Sequence, residues 1–207
     1  MTESGPPRTQ EQRRIEAERR LVGAAAELVG EVGPARVTLA NVGDRAGYSR
    51  GLATHHFGSK GALMQRLVEV VTAQFRDAIA EESQSDSPLD QLRQLIDFYF
   101  RVIADIAPVN RARLVLWADA VAGPSEDFRP QMISADREFR EEIEKRIRLA
   151  VSADEVNAAV NPDGLATVIV AMLRGVALQH VLDDAVDLTA AKGEVEQLLM
   201  ARLATGA

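Results

Sequence analysis

Cysteine is absent from this 207-residue sequence. That excludes disulfides and thiolate-held metals and suits a reducing compartment. Aromatic residues are scarce, with one Trp, two Tyr and six Phe. The histidines number three, two of them adjacent. No HExxH, no Ser/His/Asp set and no carboxylate pair in an apolar setting is visible. Neither a metal, a cofactor nor catalysis is therefore expected. The opening stretch MTESGPPRTQEQRR lacks the apolar segment of a secretory signal, so a cytoplasmic location is expected. Only one long apolar run occurs, over 164–182, and it contains Arg174, Gln179 and His180. Such groups are costly at a bilayer centre, so a helix buried in a protein core or interface is expected, and no membrane partner.

What is present is 46 % hydrophobic and 27 % charged residues, the make-up of a soluble globular protein. The net charge of −7 argues against a protein that coats nucleic acid, yet the charge is uneven. Residues 1–60 hold nine Lys/Arg and seven Asp/Glu (+2), and the remainder fifteen and twenty-four (−9). A segment that tolerates a polyanion is thus joined to a body that does not.

Apolar residues recur with helical spacing almost throughout, and no β alternation of useful length occurs. Helices are expected over 10–32, 39–46, 50–56, 59–80, 88–106, 111–121, 126–151, 162–184 and 188–204. Gly-Pro at 33–34 stops the first, and Thr38, Ser49, Ser59 and Ser87 stand at N-cap positions. The expected fold is all-α, with about nine helices. A three-helix head over 10–58 precedes a larger helical domain over 59–207, and residues 1–9 form a disordered tail.

The stretch SRGLATHHFGSKGAL, residues 49–63, concentrates polar and glycine residues in an otherwise aliphatic chain. His55 and His56 are adjacent and point about 100° apart on a helix, so they do not chelate one ion from one face. GSKG is not a nucleotide-binding loop, because Gly58 is followed by Ser and no strand precedes it. The short helices 39–46 and 50–56, separated by Gly-Tyr-Ser, read as a helix-turn-helix, with Gly47 permitting the turn and Ser49 capping the second helix. The second helix is polar along Arg50, Thr54 and His55. Together with Lys60 at the next helix start, these residues suit a phosphate grip, with base reading left to the N-terminal part of the second helix. Helix stop and restart with solvated histidines is the alternative.

The segment VTLANVGDRAGYSRGLATHHFGSKGALMQRLVE, residues 37–69, resembles the DNA-binding signature of the TetR/AcrR family of transcriptional regulators. The resemblance implies that Arg50, Gly51 and Leu52 meet base edges, that Thr54, His56 and Lys60 hold phosphates, and that Thr38 and Ala40 lie near the DNA backbone. Tyr48, Ser49 and His55 complete the expected DNA-facing set, and Phe57 is expected in the core between the first and fourth helices. The family usually has tyrosine at Thr54 and a large aliphatic residue at Ala53. Both departures put the strength of phosphate contact in question more than the fold.

Beyond residue 60 the resemblance implies a ligand-binding domain whose last two helices form a four-helix bundle with a second subunit. The helix over 162–184 is apolar on too many sides for a monomer surface. Leu165, Val168, Met172, Val176 and Leu199 are the expected interface, and an intramolecular core is the alternative. Phe98, Trp117, Phe139 and Met172, with Arg113 and His180 as polar handles, are the expected effector contacts. The expected partners are double-stranded DNA, a second copy of the chain and an unidentified apolar or amphipathic small molecule. The expected function is a ligand-responsive homodimeric DNA-binding regulator, a repressor released from a near-palindromic operator by its effector. A regulator without a small-molecule effector, and a helical ligand-binding protein or enzyme with a vestigial head, are the alternatives. The helix 59–80 is the expected lever between the two parts.

Overall fold

The computed structural model describes residues 9–82, 85–123 and 126–204, and among these there is no strand. The helices are α1 (Gln10–Val32), α2 (Leu39–Arg45), α3 (Arg50–Phe57), α4 (Lys60–Glu82), α5 (Pro88–Ala104), α6 (Pro108–Ala122), α7 (Arg129–Ser152), α8 (Pro162–Leu182) and α9 (Leu188–Leu203). A 3-10 turn, Pro34–Arg36, follows α1. The all-α fold is as the sequence indicates.

Local chemistry explains most helix starts. Thr38 accepts from the Asn41 N–H at 3.2 Å while Asn41 accepts from the Thr38 N–H at 2.8 Å, a reciprocal cap. Ser87, Asn161 and Asp187 cap α5, α8 and α9 through their side chains. Of the expected tail, residues 1–8 lie outside the described residues. Thr9 belongs to α1 as its N-cap, in a second reciprocal cap with Gln12. The helix expected from 111 begins earlier, at Pro108, because proline at the first helical position has no N–H to leave unpaired. Helix α7 begins three residues later than expected, with Pro130 in its first turn.

Two apolar cores organise the molecule. The first joins α1, α2, α3, the first half of α4 and one side of α6 through Leu21, Val29, Val42, Ala53, Leu67 and Leu116. The second joins the end of α4 to α5, α7, α8 and α9 through Phe75, Tyr99, Ile147, Leu173 and Leu199. Helices α4 and α6 contribute to both. Helix α6 turns Ala112, Leu116 and Ala120 to the first core and Leu114 to the second. It packs against α1 more extensively than α4 does.

Candidate DNA-binding surface and effector cavity

The crossing of α2 and α3 depends on two glycines. Gly47 has φ +75°, a left-handed conformation that favours glycine, and lets the chain reverse before α3. Gly43, inside α2, sits against the start of α3, where a Cβ would lie 2.9 Å from the Ser49 carbonyl oxygen. The sequence reading finds Gly47 and misses Gly43. A glycine inside a short helix, where it is intrinsically unfavourable, is the signal that exposes it. Ser49 holds the N-cap position, but its hydroxyl makes no capping bond, which corrects the role expected for it. Its carbonyl accepts the Leu52 N–H at 3.0 Å.

The expected DNA-facing residues fall into distinct settings. Arg50, Gly51, Thr54 and His55 are exposed on α3, Leu52 is half-buried, and Ala53 is sealed into the first core. The Arg50 Nε donates to Asp44 Oδ2 at 3.0 Å, which holds its side chain beside the turn. Thr38 and Ala40 are exposed at the start of α2, and Tyr48 packs half-buried against the first core. His56 turns inward, with Nε2 3.3 Å from Glu18 Oε2 and its ring edge-on to half-buried Phe57. The imidazole is thus mostly covered and engaged with α1. Lys60 Nζ donates to the Ala35 carbonyl at 2.7 Å, tying α4 to the 3-10 turn. Ser59 caps α4 as expected, accepting from the Ala62 N–H at 3.1 Å.

Glu18 is a junction on α1, reached by Arg66 Nε at 2.6 Å and by His56. Burial acts to raise its pKa, but the hydrogen bonds from Arg66 and His56 outweigh it and hold the carboxyl below the usual value. Arg45 clasps Glu31 at 2.8 Å and Glu27 at 3.1 Å, fastening α2 to α1. A groove of about 740 Å³ lies between the start of α1 and α3, bordered by Arg13, Arg14, Arg20, Tyr48, Leu52 and His55. Sequence reasoning leaves the α1 arginines out of the DNA-facing set. Their spacing, with Arg13 and Arg20 two turns apart across Ala17, marks a basic strip on one face.

A cavity of about 420 Å³ opens between α4, α6, α7 and α8. Arg113, Trp117 and Phe139, three of the expected effector contacts, are on its lining. Phe98, Met172 and His180, also among the expected effector contacts, are not on its lining. Phe98 packs behind the wall, 6.0 Å from the Phe75 ring, and Met172 packs against the second core. Arg174 enters the lining, paired with Asp136 and 4.4 Å from the Trp117 ring. An arginine inside an otherwise apolar helix is the sequence signal for it, since such a group needs a partner. Arg113 is 6 % exposed and lies 3.6 Å over the Phe75 ring. Burial pushes its guanidinium down from its ordinary pKa.

The cavity wall and the head share α6. Two residues before Arg113, Arg111 Nε donates to the Gly30 carbonyl near the end of α1 at 3.0 Å, with its methylenes against Gly30. On α4, Gln65 Nε2 donates to the Asp127 carbonyl at 2.7 Å, just ahead of α7.

Helix α8 leaves an apolar strip uncovered. Val168 is 51 % exposed and Leu182 is open, with the small residues Ala171 and Gly175 between them at helical spacing. Leu165, Met172 and Val176 are half-buried. Leu199 is 2 % exposed and belongs to the chain's own second core, which corrects its expected place in an interface. Its neighbour Leu198, at 61 %, faces outward.

Residues 21–67 match the family of bacterial regulatory proteins, tetR family, and residues 88–205 match the BetI-type transcriptional repressor, C-terminal family. The HTH-type transcriptional regulator BetI of Stenotrophomonas maltophilia (strain R551-3) is 29 % identical over 106 residues, 50 % of this chain and 54 % of that protein. The chain thus spans about half the length of that relative. A TetR-family transcriptional regulator from Agrobacterium tumefaciens has a similar fold, with TM-score 0.78 at 20 % identity, covering 93 % of this chain and all of that one. The SmeT–triclosan complex is similar at TM-score 0.77 and 22 % identity, over 90 % of each chain.

Proposed function

The chain belongs to the TetR family of bacterial regulatory proteins, with a BetI-type C-terminal region, and from that premise we propose that it is a homodimeric repressor released from its operator by a small molecule. It is a transcriptional regulator, not an enzyme. The reading divides the labour between a DNA-binding head, residues 10–58, and an effector-binding and dimerising body, residues 59–207. The observation that carries it is the position of α6, which forms a wall of the cavity with Arg113 and Trp117 and holds the end of α1 through Arg111. A ligand-bound solved structure of similar fold, the SmeT–triclosan complex, supports the effector part.

In this reading two copies pair through the uncovered strip of α8 and Leu198, and their α3 helices enter successive major grooves about 34 Å apart. An effector that favours a different seating of α6 moves α1, and with it the spacing of the two α3 helices. By linkage, it weakens DNA binding by the factor by which DNA weakens its own binding. The lever expected from sequence was α4. The packing favours α6 as the main lever, with α4 as the second path.

The test is binding to DNA upstream of the protein's own gene across a salt series. Arg50→Ala is expected to cost about 1–3 kcal/mol and relax preference at one or two base pairs. Lys60→Ala is expected to weaken binding to all sequences and flatten the salt slope, because its ammonium exchanges the Ala35 carbonyl for a charged phosphate oxygen. Unchanged affinity and slope in Lys60→Ala remove that residue from the contact set. Binding without salt dependence ends the proposal.

A further inference from the structure

We infer that the cavity is built for an amphiphile with a carboxylate head, taken side-on by Arg113, and an apolar body laid along the aromatic wall. The inference rests on reading the cavity as the effector site. Arg113 is 6 % exposed, and its Nε and Nη2 are both buried without a hydrogen-bond acceptor among the described residues. These two nitrogens form one edge of the guanidinium, and their parallel N–H bonds match the two oxygens of a carboxylate. The centre of the group lies 3.6 Å over the Phe75 ring and 5.8 Å from the Tyr99 ring. The Nε–Nη2 edge is what these contacts leave over.

The other charges on the lining are balanced. Asp136 is paired with Arg174, Glu142 lies 3.2 Å from Arg146, and Glu138 lies 3.4 Å from Arg76. Glu141 and Lys145 are exposed at the mouth and opposite in sign. The charge left over inside is therefore the positive charge of Arg113. A cationic ligand would bring a second positive charge beside it, a hydrocarbon would leave two N–H groups buried without acceptors, and a neutral carbonyl would meet the hydrogen bonds but leave the buried charge uncompensated. A carboxylate answers both. Phe75, Ile79, Leu114, Trp117, Met132 and Phe139 supply the apolar wall, and about 420 Å³ falls within the range of ordinary small-molecule sites, roughly 300–1,000 Å³.

Trp117 is the only tryptophan in the chain and lines the cavity, so its fluorescence reports binding. Full-length protein is titrated with decanoate and 2-naphthoate, with their methyl esters and with decyltrimethylammonium. At least one acid is expected to bind at least tenfold more tightly than its ester and than the ammonium compound. The acid that binds identifies the body as aliphatic or aromatic. Arg113→Met is expected to weaken that acid at least tenfold while leaving its ester unchanged. Arg113→Lys, which keeps the charge but loses the fork, is expected to fall between. Equal binding of acid and ester, tighter binding of decyltrimethylammonium, failure of both acids to bind, or wild-type acid affinity in Arg113→Met each overturns the inference. If the variants do not fold, the acid–ester comparison in the wild-type protein decides alone. Release of bound DNA is followed separately. An acid that binds through Arg113 yet leaves DNA bound keeps the site and ends the effector reading. Release by the ester or the ammonium compound keeps that reading and ends this inference.

Discussion

The DNA-facing end and the body of this protein treat polar and apolar demands in opposite ways. In the head, arginines at rest already have carboxylate partners: Arg45 with Glu31 and Glu27, Arg50 with Asp44, and Arg19 and Arg20 with Glu16. Hydrogen bonds from Arg19 and Arg20 pull the Glu16 carboxyl down to about 2. These pairs are at or near the surface, where solvent screening leaves each worth little, so a phosphate replaces a carboxylate at small net cost. The body leaves demands open. Arg113 is buried with its fork unanswered, and the strip from Val168 to Leu182, with Leu198, faces outward uncovered. Groups satisfied at rest mark a surface that exchanges partners, and groups left unsatisfied mark places that wait for an occupant.

Mutations test that contrast, and the largest effect is expected where a demand is open. Val168→Asp places a charge in the uncovered strip. It is expected to yield monomer in sedimentation velocity and to reduce operator affinity about a hundredfold or more, since the second module no longer binds as part of the same complex. A dimer that persists would move the interface elsewhere.

In the head, the contrast is sharpened by two glycines eight positions apart. Gly43→Ala forces a methyl against the Ser49 carbonyl, and denaturant unfolding is expected to show a loss of about 1–3 kcal/mol. A Cβ on Gly51 meets nothing within 4 Å, so Gly51→Ala is expected to fold at least as stably as the parent. Its exposed methyl on α3 is expected to weaken operator binding all the same. Equal stability of the two variants would show that the α2–α3 crossing has slack.

The smallest effect belongs to a paired group. The Glu18 pKa is lowered in the folded protein, so its stabilising contribution is complete above the ordinary glutamate value of about 4.5 and is lost as pH falls through the lower folded value. Glu18→Gln removes that contribution. The stability gap between wild type and Glu18→Gln, followed by denaturant unfolding, is expected to be widest above pH 4.5 and to close toward more acid pH, within about 1 kcal/mol at its maximum. A gap that widens on acidification reverses the assignment.

The helical order and the helix-turn-helix were legible because both are written in neighbouring residues. Thr38 with Asn41, Gly47 before Ser49, and Asn161 before Pro162 act within a turn or two of helix. Trp117 and Arg113 were legible as cavity residues because a bulky aromatic and a buried charge need special surroundings wherever they fall. Phe98, Met172 and His180 lie off the lining, since helical periodicity identifies an inward face without saying whether core or cavity lies beyond it. Leu198 and Leu199 differ only by the 100° step between adjacent residues, and a small error in the facing direction of α9 exchanges them.

By itself, the sequence determined the all-α fold, the capped turn that presents α3 and the apolar excess of α8, because caps, glycine turns and periodicity act over a few residues. Only the tertiary structure decided that His56 turns to Glu18, that Gly43 makes room for Ser49, that Asp136 claims Arg174 and that Arg113 is left without an acid. Those outcomes depend on which side chains from distant helices meet in a space too small and too dry for an unpaired charge to be ignored.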